Sequence, residues 1–91
     1  MKTIKDLILY RIPDELELKY GKEGQREWYE YWVGDGKFRE AIVIQRNDES
    51  RPFYIYIISG DAVRTLDGVF WSIDDAIKEL ENYGIKVKGV K

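Results

Sequence analysis

A chain of 91 residues with neither histidine nor cysteine has few routes to side-chain chemistry. The missing cysteine excludes disulfides, thiolate zinc sites and a cysteine nucleophile, and the missing histidine removes the usual general base. A net charge of −2 argues against a nonspecific coat on duplex DNA, and no apolar run approaches the ~20 residues of a membrane-spanning helix.

The length suits one domain, 1–91, and a composition of 44% hydrophobic and 35% charged residues is that of a globular chain. The N-terminal residues lack the apolar core of a signal peptide, so a cytoplasmic, membrane-free protein is expected. Residues 4–12 carry apolar side chains at Ile4, Leu7, Ile8 and Ile12, a helical spacing that Thr3 and Asp6 begin and Pro13 ends. Leu16, Leu18 and Tyr20 alternate with Glu17 and Lys19, which predicts a half-buried strand over 16–20 followed by a turn at 21–24.

Three strands are expected next, over 25–33, 39–45 and 53–58, the first and third rich in aromatic residues. Asp35-Gly36 suits a two-residue type I′ hairpin between the first two, and Asn47 to Ser50 with Pro52 marks the turn into the third. Residues 62–66 suit either a short strand or a single helical turn. Ser72 and Asp75 form a capping box for a helix whose apolar stripe is Ile73, Ala76, Ile77, Leu80 and Tyr83, with Gly84 at its end. Residues 85–88 alternate again, as a final edge strand. The expected fold class is α+β: one antiparallel meander of four to five strands, packed by a C-terminal helix, with a short N-terminal helix.

Hairpin register decides which side chains share a face. A two-residue loop at Asp35-Gly36 places Tyr29, Tyr31, Val33, Phe38, Ile42 and Ile44 together. Pairing of Tyr20 with Gln25 adds Leu16, Leu18 and Tyr20 to that face, the predicted core. The opposite face takes Lys19, Arg26, Trp28, Glu30, Trp32 and Arg39, and pairing of Arg46 with Phe53 adds Tyr54 and Tyr56. The N-terminal helix stripe is an alternative cover for this second face.

No Walker, Rossmann or nucleophile-elbow pattern occurs, and Asp61, Asp67, Asp74 and Asp75 lack calcium-loop spacing, so neither cofactor nor metal is expected. Glu30 and Glu40 fall on opposite faces, which disfavours a paired-carboxylate enzyme using Arg26, Arg39 or Tyr31. The expectation is a non-catalytic binding module whose face of Trp28, Trp32, Tyr54, Tyr56, Arg26, Arg39 and Lys19 meets a protein partner or a second copy. An accessory or inhibitor-type protein, such as phages and mobile elements encode, fits this description. Self-association through the same face or through the strand at 85–90 is its simplest form. The alternative is single-stranded nucleic acid, with bases stacked on the same aromatics and phosphates on the basic residues.

Overall fold

Side chains that alternate along a strand divide its residues between two faces, and a meander repeats that division from strand to strand. A computed structural model describes residues 11–88 of the chain. Five strands, β2 (Lys19–Glu23), β3 (Arg26–Val33), β4 (Glu40–Arg46), β5 (Tyr54–Ser59) and β6 (Ala62–Thr65), form an antiparallel sheet in chain order. Two short strands, β1 (Glu15–Glu17) and β7 (Lys86–Lys88), pair with each other in parallel as a separate ribbon. A single helix, α1 (Ile73–Asn82), precedes β7 among the described residues. This is the expected α+β class with its C-terminal helix; the N-terminal helix expected over 4–12 falls largely outside the described residues.

The inner face of the sheet makes the core. Ile42 and Ile44 from β4 stand beside Ile55 and Ile57 from β5, and all are buried together with Tyr29, Phe53, Leu66 and Phe70. From α1, Ala76 and Leu80 complete this layer, with Ile73 and Tyr83 at its margin. Each large aliphatic side chain removed from water contributes about 1.5–3 kcal/mol, so these strands and the helix are held by one shared term. Ile12, Leu16, Leu18 and Ile85 close the same core from the chain's two ends.

The helix follows its sequence signals. Ser72 Oγ accepts a hydrogen bond from the Asp75 amide at 3.2 Å, and Asp74 and Asp75 lie at the positive end of the dipole. At the other end the Gly84 amide donates to the Glu81 carbonyl and the Ile85 amide to the Leu80 carbonyl, the two bonds of a Schellman motif. Gly84 has φ of +84°, and the apolar contact usual for this motif is supplied by Leu80 and Ile85, both in the core.

Four expectations are corrected. Asp35 is extended, with φ −145° and ψ 163°, so Asp35-Gly36 is not a type I′ turn; a 3₁₀ turn over Gly36–Phe38 makes the connection. Val33 therefore pairs with Glu40 and Trp32 with Ala41, which moves Phe38 out of the sheet and leaves it 66% exposed instead of in the core. Residues 21–23 of the expected turn instead continue β2, the turn falls at Gly24 and Gln25, and Tyr20 pairs with Tyr29 rather than Gln25. Tyr20 is on the inner face, its ring tilted against that of Tyr29 with centroids 5.0 Å apart, but at the sheet's outer margin it stays 55% exposed.

The last strand is the fourth correction. Residues 86–88 leave the meander and pair with Glu15–Glu17, so the strand expected over 16–20 is broken at Leu18, and the meander's outer edge is formed by Ala62–Thr65. Both register errors are shifts by an even number of residues, and an even shift keeps every side chain on its face. The β4–β5 pairing, with Gln45 opposite Tyr54 in line with the Arg46–Phe53 expectation, is as predicted.

Candidate binding face

The outer face is built in rows across the strands. Gly21, Trp28, Gln45 and Tyr54 form one row; Lys19, Glu30, Val43, Tyr56 and Thr65 the next; Trp32, Ala41, Ile58 and Val63 the third. Six of the seven residues expected on this face are there by register or as strand neighbours: Lys19, Arg26, Trp28, Trp32, Tyr54 and Tyr56. Arg39 lies outside the strands, at the end of the 3₁₀ turn, yet its guanidinium carbon stands 5.4 Å from the centre of the Trp32 ring and so rejoins the group.

Bulk is distributed unevenly across these rows. Small or branched residues, Ala41 and Val43, occupy the middle of β4, while Trp28, Trp32 and Tyr56 stand to either side. The result is a groove of about 640 Å³ lined by those three aromatics, Val43, Ile58 and Val63, with Arg26, Gln45, Glu23 and Glu30 among them. Tyr54 lies beyond the groove's lining, and Lys19 belongs to a neighbouring hollow of about 400 Å³ with Glu17, Glu30, Tyr31 and Trp32.

Trp28 owes its position to Gly21. A β-carbon on Gly21 would lie 2.3 Å from Cε2 of the Trp28 indole, so the ring is laid over the bare glycine backbone of the edge strand. Arg26 also holds it: its guanidinium carbon is 5.9 Å from the ring centre, and its Nη2 donates to Gln45 Oε1 at 3.2 Å. Each tryptophan of the groove thus carries an arginine, an arrangement worth ~0.5–1 kcal/mol per pair at exposed sites. Trp32 remains 41% exposed even so.

Glu30 stands between the two tryptophans on β3, half-buried at the groove wall. It has no hydrogen bond or ion pair among the described residues, although Lys19 is its cross-strand neighbour. Three residues earlier on the same strand, Glu27 faces inward and is fully engaged. It accepts from Arg46 at 2.6 and 2.9 Å and from the Tyr29 hydroxyl at 3.0 Å. Burial and the hydrogen bond to Glu27 push the Tyr29 hydroxyl up to about 12.

Glu40 is also buried on the inner side, where the Arg11 amide donates to its Oε2 at 3.0 Å, so Glu30 and Glu40 lie on opposite faces of the sheet. Arg11, Lys37, Phe38 and Arg39 gather with it around a smaller hollow of about 270 Å³. Among the described residues no three acidic side chains are grouped as a metal site would require. Ile12, the one described member of the N-terminal stripe, packs into the inner core and not onto the outer face.

Sequence reasoning omitted Glu23, Glu30, Val43, Gln45, Ile58 and Val63 from the binding residues. Alternation along their strands puts Gln45 and Ile58 on the face of Trp28 and Tyr56, but neither is aromatic or basic, the residue types that mark a binding anchor. Val63 had no usable signal, because residues 62–65 reveal themselves as a strand only by pairing with β5. Comparison with known proteins adds no relative: no family model matches the chain, and no curated protein or solved structure does so.

Proposed function

We propose that this chain is a non-catalytic binding module whose outer sheet face docks a protein partner, in an accessory or inhibitor-type role. The observation that carries the reading is the groove itself. Trp28, Trp32 and Tyr56 line a concave surface beside Arg26, Glu23 and Glu30, the mixture of aromatic anchors and both signs of charge found in protein interfaces.

Single-stranded nucleic acid is the second reading, and one observation favours it. Arg11, Lys37 and Arg39 collect at the Phe38 end, next to Trp32, where they offer a short basic track beside an aromatic. Against it, the groove proper holds two carboxylates and one guanidinium, and that guanidinium is engaged by Gln45.

Selection from a random-peptide display library, with Trp32→Ala as counter-selecting bait, tests the first reading. Binders that require Trp32 are the expected result. Tryptophan fluorescence titrated with oligothymidylate at two salt concentrations tests the second; salt-sensitive quenching, together with a library that yields no Trp32-dependent binder, would replace the first reading by the second.

A further inference from the structure

Taking the groove as a protein-docking surface, we infer that its occupant is a segment of another protein that presents a lysine or arginine side chain to Glu30, between the walls of Trp28 and Trp32. On this face the basic charge is already engaged and the acidic charge is not. The basic group of the groove, Arg26, is held by Gln45 and lies over Trp28, and Arg39 lies over Trp32. Glu23 and Glu30 have no hydrogen bond or ion pair among the described residues. An incoming cation finds at Glu30 a carboxylate that accepts no hydrogen bond among the described residues, and the charge-assisted hydrogen bond it makes there is the main attraction, since Trp28 and Trp32 on either side each carry an arginine already. An incoming phosphate or carboxylate meets Glu30 and Glu23 instead.

The contrast with Glu27 gives the inference its force. On the inner face the same strand presents a glutamate that the fold closes with Arg46, and Phe53 lies 4.7 Å from that guanidinium carbon. Glu27, Arg46 and the adjoining ring show what this sheet does with a carboxylate, a guanidinium and an aromatic. On the outer face Glu30 has the aromatics and lacks the guanidinium. The basic side chain of a partner supplies the missing member.

The test uses Trp32-dependent peptides from the display library. They should be enriched in lysine and arginine, and Glu30→Gln should weaken them about tenfold, the effect of losing one charge-assisted hydrogen bond. Glu30→Asp, which keeps the charge, should retain most of the affinity, and raised salt should lower it for the wild type more than for Glu30→Gln. Trp32-dependent peptides without basic enrichment, or indifferent to Glu30→Gln, would overturn the inference while the docking reading stands. The inference is equally overturned if Glu30→Asp loses as much as Glu30→Gln, or if the chain forms a dimer in solution that Trp32→Ala dissolves. A library that yields no Trp32-dependent peptide removes the docking reading and the inference with it.

Discussion

The two faces of one sheet hold the same kinds of residue in different states of completion. Inside, Glu27 is sealed: 7% exposed, bonded to Arg46 and Tyr29, with Phe53 against the guanidinium. Outside, Glu30 lies between Trp28 and Trp32, and the arginines stand over the rings instead of on the carboxylate. A buried charge must be matched within the fold, because desolvation leaves it no other partner, whereas a half-exposed one is satisfied by water until something better arrives. The inner network therefore belongs to stability, and the outer group is under no such requirement.

The largest expected effect breaks that comparison at its strongest point. Glu27→Ala leaves Arg46 and the Tyr29 hydroxyl without their acceptor and should cost ~2–4 kcal/mol in urea unfolding, while Glu30→Ala changes stability by less than ~0.5 kcal/mol. Equal losses from the two substitutions would mean that the faces do not differ as described. Tyr29→Phe comes next: removal of one buried hydroxyl bonded to a carboxylate should cost ~1–2 kcal/mol at neutral pH.

The same tyrosine makes the inner network sensitive to alkali. Its pKa is raised from 10.0 to about 12 on folding, so the unfolded chain loses this proton first. The associated stability is complete well below pH 10 and declines as pH rises from 10 through 12, by ~3 kcal/mol in all. Tyr29→Phe should flatten the stability curve in that window; an unchanged slope would show that Tyr29 does not titrate as a buried group.

Smaller effects sharpen the outer face. Gly21→Val forces the Trp28 indole off the edge strand, so the tryptophan emission should shift and peptides bound in the groove should weaken, with little change in the unfolding midpoint. Emission like that of the wild type would show that Trp28 does not depend on the bare glycine. The least effect belongs to the exposed pair Lys22–Glu49, whose partners raise and lower each other's pKa in the expected sense. Replacing both by alanine should leave the urea midpoint unchanged within error, as is usual for a surface ion pair.

Much of this was legible in the chain. Alternation in residues 25–33, 39–45 and 53–58 assigned Trp28, Trp32, Tyr54 and Tyr56 to one face, and two register errors left that assignment intact because both were even shifts. Ser72 and Gly84 marked the helix ends because capping chemistry is local, confined to side chains and amides a few residues apart. The exposed position of Phe38 was not legible, since an extended Asp35 and a 3₁₀ turn compete closely with a type I′ hairpin for the same Gly-Asp-Gly.

What the tertiary structure decided is non-local. The parallel pairing of Glu15–Glu17 with Lys86–Lys88 joins segments from opposite ends of the chain, and no short-range pattern encodes it. The closure of Glu27 by Arg46 depends on the pairing of two strands, and the groove depends on small β4 residues meeting large ones from β3 and β5. Residue types and periodicity determine which face a side chain occupies; only assembled neighbours determine whether its charge is already answered there.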